Sequence, residues 1–433
     1  MDRQKKNMGA VAFLPLIVFL VCYVGCGITF TLLGADEPFG KFPRHVALLA
    51  GCAVALLLNR GIGVQDKLNI MTTSMGNSGV MMIVLIYLMA GGFQGAAAAM
   101  GGKDSVLCLH FIPVKLLVPG VFLMCCFIST SIGTSMGTIA AMAPIAINVA
   151  QGAHLNVAVV GAAVIGGSYF GDNLSMISDT TISAAEGCGS EMKDKFKMNF
   201  FIALPAAIVA MILYSIFGGV GSGAIEAGSY SIIEVLPYFI VLIAALMGVN
   251  VAVVLFVGIL ASGIIGLCVG SCGFFEWIQA IGSGMSDMFS ISIVAILVSG
   301  IIGLVREYGG VEWLVGAISS KIKSRRGAEY GIGLMSGILS AAMVNNTIAI
   351  IVTCPIAKEI GEKYKIAPKR LASLVDIFAC AFIALMPHDG GMLMITALAD
   401  VSPLNVLKYS FYMFGLIIAT CVTIQFGLMD KKN

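Results

Sequence analysis

The stretch PVKLLVPGVFLMCCFISTSIGTSMGTIAAMAPIAINVAQ, residues 113–151, decides how this chain folds. It is apolar at both ends and far longer than the roughly 20 residues that one membrane crossing takes. Its middle, STSIGTSMGT at 129–138, is polar and glycine-bearing. A second stretch of the same kind, 329–357, is interrupted at SAAMVNNT, 340–347. Each reads as one broken span or as a re-entrant hairpin that enters and leaves on the same side.

The rest of the chain agrees with a membrane setting. Of 433 residues, 59% are hydrophobic and only 11% charged, against roughly 25% charged in soluble domains. So few charges cannot cover a water-exposed surface, which excludes a soluble enzyme. Disorder needs low hydrophobicity and high net charge, and nucleic-acid binding needs a concentrated basic face; a formal charge of +2 supports neither. Cysteines such as Cys22, Cys26, Cys125, Cys126 and Cys380 sit in apolar runs with no C-x-x-C spacing, as small buried residues do. The start, MDRQKKN before an apolar run over 9–33, resembles a signal peptide. That run is longer than a signal core and lacks a cleavage site, so it reads as the first span.

Further spans are expected at 45–59, 79–100, 155–171 and 198–220 in the first half. The second half has 232–248, 250–269, 288–305, 371–387 and 405–428. Cytoplasmic loops carry the excess of lysine and arginine. With both broken stretches as hairpins and the N-terminus inside, the 25 basic residues divide 20 inside against 5 outside. With both as single spans, the same 25 divide 12 against 13. The hairpin topology is therefore expected, with both termini cytoplasmic. Segment 311–320 is left unassigned, an interfacial helix being one reading of it.

The halves repeat. TSMGTIAAMAPIAINVA (134–150) resembles AAMVNNTIAIIVTCPIAKEI (341–360), pairing Pro144 with Pro355, and SMGNSGVMMIVLI (74–86) resembles GMSDMFSISIVAI (284–296). Five spans per half is an odd number, so the second half is inserted upside down. The expected fold is an all-α polytopic membrane protein of two inverted repeats, 1–225 and 226–433, each of about five transmembrane helices plus one re-entrant hairpin. Inverted repeats with discontinuous helices at the midplane mark a secondary transporter.

Four polar clusters sit where lipid depth should forbid them. The first hairpin tip carries Thr134, Ser135 and Thr138, and the second carries Asn345, Asn346 and Thr347. Hydroxyls, amide oxygens and unwound carbonyls suit a dehydrated sodium ion, and half-helix ends add partial charge. Singly, such residues also serve as interhelical glue. The third cluster, GGSYFGDNLSMISDTT at 166–181, holds Asp172, Asn173, Ser175, Ser178, Asp179 and Thr180. An intramembrane carboxylate costs at least ~2.5 kcal/mol unless paired or hydrated. Away from water it resists ionisation, and a bound cation favours it. Asp172 and Asp179 therefore suit an exchange in which a proton and a sodium ion exclude each other; helix capping at the interface is the competing reading. The fourth cluster is Asp376 with His388 and Asp389. Asp376 lies about two turns beyond Arg370, so an ion pair between them competes with an ion-binding role. His388 reads equally as a site residue or as a solvated loop residue.

The block GGSYFGDNLSMISDTT resembles the signature of the NhaC-type sodium/proton antiporter family within the wider ion-transporter superfamily. NNTIAIIVTCPIAKEI and APKRLASLVDIFACAFIALMP are similar to its second-half blocks. The resemblance implies an elevator-like or rocking transport body. It carries the family's acidic positions onto Asp172 and Asp179, and its hairpin positions onto Thr134, Ser135, Thr138, Asn346 and Thr347. Sodium is then expected at Asp172, Asp179, Thr138 and Thr347. Relatives often have tyrosine after the proline where this chain has His388 and Asp389.

The expected function is sodium/proton exchange at intramembrane aspartates by alternating access, in the inner membrane of a cell. The alternative is sodium- or proton-coupled transport of a small organic acid or amino acid, with Asn345 and Asn346 as amide contacts. No cofactor is expected beyond Na+ as the transported or coupling ion. A homodimer in the lipid bilayer is expected, with Na+, H+ and a small organic solute as partners. Residues 168–172 lack the first glycine of a G-x-G-D protease motif, and no H-E-x-x-H occurs, which argues against an enzyme.

Overall fold

The computed structural model describes residues 7–33, 41–100, 114–176, 178–218, 232–247 and 249–429. The boundary expected near residue 225, Lys103, and the extreme termini lie outside the described residues. Every element among the described residues is helical.

The first span is one continuous helix of changing winding: 3-10 over Gly9–Phe13, α1 Leu14–Leu20, a π segment Val21–Gly25, and α2 Cys26–Leu32. There follow α3 Arg44–Leu57, α4 Val64–Met75, α5 Ser78–Ala99, α6 Val114–Ile132, α7 Ser135–Gly152, α8 Val157–Leu174, α9 Asp179–Cys188 and α10 Met192–Phe217. The second half contains α11 Ile232–Leu246, α12 Val251–Val269, α13 Phe274–Asp287, α14 Phe289–Glu307, α15 Gly310–Ser319 and α16 Arg325–Met343. It ends with α17 Asn346–Tyr364, α18 Pro368–Ala384, α19 Gly390–Ala399, α20 Pro403–Leu407 and α21 Phe411–Phe426. Among the described residues, five stretches are long and apolar enough to cross a membrane: Ser78–Ala99, Val157–Cys188, Met192–Phe217, Ala252–Val269 and Phe274–Glu307. Shorter apolar helices accompany them.

Five consecutive helices begin 211 positions apart in the two halves. The starts are Val114 and Arg325, Ser135 and Asn346, Val157 and Pro368, Asp179 and Gly390, and Met192 and Pro403. Both long apolar stretches are broken in the same way. Gly133 and Val344 take the left-handed backbone, φ 78° and 49°. The next residues, Thr134 and Asn345, are extended at φ −148° and −156°. Each then caps the following helix: Thr134 Oγ1 accepts from Gly137 N at 3.4 Å, and Asn345 Oδ1 from Ile348 N at 2.8 Å. A side-chain oxygen thus takes up one of the amides that a helix start leaves unpaired. The arms α6 and α7 have 19 and 18 residues, about 27 Å each at 1.5 Å per residue, and they pack on one another.

Segment 311–320 falls on the helix α15, Glu276 lies on α13, and the stretch after Asp179 winds into α9.

The described chain forms two compact units, one of Met1–Val84, Ser290–Lys323 and Ala342–Val344, the other of Leu85–Phe289, Ser324–Ala341 and Asn345–Asn433. In the smaller unit α1 and α3 meet at Gly51, where a Cβ would stand 2.9 Å from the Pro15 carbonyl oxygen. Lys67 is buried, and its ammonium donates to the Leu56 and Leu58 carbonyls at 2.7 and 2.5 Å. A cation at the end of α3 satisfies carbonyls that have no partner within the helix.

The larger unit is built on close backbone approach. A Cβ on Gly91 would lie 2.2 Å from the Gly284 carbonyl oxygen, and one on Gly95 would lie 2.1 Å from that of Ala280. Small residues one turn apart let α5 and α13 touch along their backbones, as helices do in lipid. Gly167 and Gly171 do the same for α8 against α6, at Phe122 and at Ser129–Thr130. That second contact brings the end of α8 against the break between α6 and α7.

Candidate functional site

All the polar clusters singled out above, apart from residues 342–344 at the second break, fall in the larger unit. The helix α8 stops at Leu174: Ser175 turns extended (ψ 138°), and Ser178 is extended (ψ 136°) before α9 begins at Asp179. Non-helical backbone at membrane depth is tolerated where protein or a polar cavity surrounds it. Here it folds the hydroxyls of Ser178 and Thr180 back onto one carboxylate, which a third hydroxyl meets from α7.

That carboxylate is Asp172, only 2% exposed. Ser135 Oγ, at the first position of α7, donates to its Oδ2 at 2.9 Å. Ser178 donates to Oδ1, and Thr180 donates to the same oxygen at 3.3 Å. Thr181 reaches the Asp172 carbonyl at 3.3 Å. The Ser129 hydroxyl donates to the Ser168 carbonyl, tying α6 to α8 one turn earlier. The side-chain partners of Asp172 are therefore hydroxyls. Hydroxyls both donate and accept, so the same set can stabilise a bare carboxylate or turn lone pairs toward a cation.

The other candidates are distributed around this core. Asp179 is exposed, at the N-terminal turn of α9, where a negative charge is favourable, and it accepts from Thr347 Oγ1 at 2.9 Å. Thr138 is buried, but its hydroxyl returns to the Thr134 carbonyl at 2.9 Å within its own helix. The four residues expected around one sodium ion are thus divided among separate contacts in this structure. Asn345 is engaged as a cap, and Asn346 accepts from Thr347 N at 3.0 Å and reaches Cys380 Sγ at 3.6 Å. Ser175 and Asn173 are buried.

His388 is not a solvated loop residue: it is 5% exposed, with Nε2 3.0 Å from the Ala341 carbonyl oxygen. Asp389 is buried as the cap of α19, accepting from Met392 N and from the Tyr169 hydroxyl, each at 3.1 Å. Tyr87 adds a 2.9 Å hydrogen bond to the Gly390 carbonyl.

The competing expectation of an Arg370–Asp376 pair is corrected by the structure. Arg370 pairs with Glu329 instead, Nη2 and Nε each 2.9 Å from Oε2, and it also donates to Thr423 at 3.0 Å. Asp376 pairs with Lys195 at 2.7 Å, and both side chains are 0% exposed. Lys195, counted from sequence among the 20 basic residues of the cytoplasmic side, is buried within the helix bundle. Asn199, one turn further along α10, donates to Asp376 Oδ2 at 2.8 Å and to the Asn173 carbonyl at 3.0 Å.

Sequence reasoning missed Lys195, Asn199 and Tyr169. A signal for the first two exists in the chain. On α10 the buried side chains include Lys195, Met198, Asn199, Ile202, Ala203 and Ala206, a stripe at helical spacing that Lys193 and Lys197 do not share.

Comparison with known proteins follows the same lines. The profile of the Na+/H+ antiporter family matches residues 9–219 and again residues 222–431. The chain is 25% identical over 471 residues, covering all of both chains, to the Na(+)/H(+) antiporter NhaC of Bacillus subtilis (strain 168). It is 22% identical over 473 residues to the arginine/ornithine antiporter ArcD of Halobacterium salinarum, covering 100% of this chain and 94% of that one. It is 24% identical over 217 residues to the malate-2H(+)/Na(+)-lactate antiporter of Bacillus subtilis (strain 168), a match that covers 49% of this chain and 45% of that relative. A multi-pass helical chain matched along its length by this profile is a secondary antiporter and not an enzyme: it belongs to the Na+/H+ antiporter family.

Proposed function

We propose that this protein exchanges Na+ for H+ at Asp172. One observation carries the reading: a buried carboxylate whose side-chain partners, Ser135, Ser178 and Thr180, are all hydroxyls. Such a group needs a cation or a proton to be neutral in a low-dielectric interior. Na+ would take Asp172 with hydroxyl oxygens of the three partners. Protonation of Asp172 would remove the charge that holds the ion, and the hydroxyls would return to it. Asp179 and Thr347 form the approach to this site.

The equal 211-residue spacing of helix starts and the double match of the family profile support two repeats, divided near residue 225. With five spans in each, the repeats are inverted and the broken pairs α6–α7 and α16–α17 are hairpins. The division of basic residues, 17 to 5 once the buried Lys67, Lys195 and Arg370 are set aside, supports cytoplasmic termini in an inner membrane. Alternating access is elevator-like, with the larger unit, which holds Asp172, as the transport body, and the assembly is a homodimer.

The test is Na+-driven proton movement in proteoliposomes, wild type beside Asp172→Asn. An Asp172→Asn form that matches wild type would sink the proposal. Competition between one proton and one ion at one carboxylate also makes the apparent Na+ constant rise about tenfold per pH unit on the acid side.

A second reading is coupled exchange of a small organic acid or amino acid, favoured by the names of two relatives, which act on malate and lactate and on arginine and ornithine. Counterflow of labelled lactate, malate, arginine or ornithine in the same liposomes separates it from simple ion exchange.

A further inference from the structure

The Lys195 ammonium sits as a cation would in an oxygen site. It donates to the Asp376 carboxylate at 2.7 Å, the Thr181 hydroxyl at 2.6 Å and the Asn173 carbonyl at 3.0 Å. An ammonium has three donors, and all three are met by oxygen. The three acceptors are a carboxylate, a hydroxyl and a main-chain carbonyl freed near the end of α8, the classes of ligand that hard monovalent cations take. Asn199 lies at the same point: its amide nitrogen donates to Asp376 and to the Asn173 carbonyl, while its Oδ1 is buried with no hydrogen-bond partner.

Asp172 and Asp376 are therefore two deeply buried carboxylates with opposite provision. Asp172 has hydroxyls only, and Asp376 has a positive charge on a tether. The two sites adjoin, because Thr181 accepts from Lys195 and donates to the Asp172 carbonyl.

We infer that the Asp376 pocket is a second monovalent-cation site which Lys195 fills from within. The chain then exchanges one ion per cycle at Asp172, where the carboxylates alone would take two. This rests on the reading of Asp172 as the Na+ site. Removing the tethered charge opens Asp376, Thr181, the Asn173 carbonyl and Asn199 Oδ1 to a free Na+.

The experiment is equilibrium binding of radioactive Na+ to purified full-length protein at alkaline pH. Wild type is expected to bind one Na+ per chain, abolished by Asp172→Asn. Lys195→Ala is expected to bind two, and Lys195→Ala with Asp376→Asn is expected to bind one again. A folded Lys195→Ala protein that still binds one Na+ overturns the inference while leaving the Asp172 reading in place. Wild type that binds no Na+ overturns the Asp172 reading first. If Lys195→Ala does not fold, Lys195→Ser is measured in the same way: two Na+ per chain are expected, and a folded Lys195→Ser protein that binds only one defeats the inference.

Discussion

Gly133 and Val344 stand 211 positions apart and hold the same left-handed backbone, φ 78° and 49°, at the two helix breaks. Glycine takes this conformation freely, whereas a β-branched residue is strained in it. Opposite substitutions should therefore have opposite signs. Gly133→Ala is expected to lower stability by about 1–2 kcal/mol, and Val344→Gly to leave it unchanged or raise it. Thermal unfolding of the purified protein in detergent checks this, and two shifts in the same direction would refute it.

The Asp172 hydroxyls should be graded by their geometry. Ser135→Ala removes a 2.9 Å hydrogen bond in a buried site, a loss of about 1.5–3 kcal/mol for a bond to a charged group, or tenfold or more in apparent Na+ affinity. Thr180→Val, which removes a 3.3 Å contact, is expected to do less. The Na+ dependence of proton flux gives both values, and the reverse order would count against the arrangement.

Asp179 is exposed, and its partner is Thr347 at 2.9 Å. Thr347→Ala is expected to change the Na+ constant by less than about fivefold, since exposed pairs contribute about 1 kcal/mol or less. A loss as complete as that of Asp172→Asn would move the ion site to Asp179.

Gly171 faces the backbone of Ser129 and Thr130, where an added Cβ would lie 2.3 to 2.6 Å from their atoms. Gly171→Ala should force α8 away from the first break at a cost of about 1–3 kcal/mol. The site should loosen with it, seen as a lower melting temperature and weaker Na+ binding together. A stable protein with normal binding would show that this contact does not position Asp172.

The Arg370–Glu329 pair is buried on both sides, 2% and 3% exposed. Glu329→Gln leaves a buried guanidinium without its counter-charge and should cost about 3–5 kcal/mol. The double change Glu329→Leu with Arg370→Met should recover much of it. Melting curves for the three proteins test this, and a double variant no better than the single one would show that the pair contributes more than mutual neutralisation.

Much of this was legible along the chain. Apolar runs, two polar interruptions and a repeat near 211 residues follow from sequence, because lipid demands long apolar helices and breaks them only at polar sites. Asp172 could be singled out because a carboxylate in such a run is costly. The partner of Asp376 could not. Arg370 is near it in sequence and Lys195 is distant, yet the helix packing turns Arg370 to Glu329 and brings Lys195 across from α10. Lys193, Lys195 and Lys197 look alike as letters, and only the buried stripe of α10 tells them apart.

By itself the sequence determined that this is a polytopic helical membrane protein, where its helices break, and that Asp172 and Asp376 lie deep, though it placed Asp179 with them and the structure leaves Asp179 exposed. These are properties of local composition and spacing. Only the tertiary structure decided that Asp172 is ringed by hydroxyls while Asp376 holds a lysine, because the first ring closes across a helix break with Ser135 brought in from α7, and the second pairing joins α10 to α18, far apart in the chain. Such pairings depend on which helix faces meet, and for α8 that is settled where Gly167 and Gly171 let its backbone touch α6.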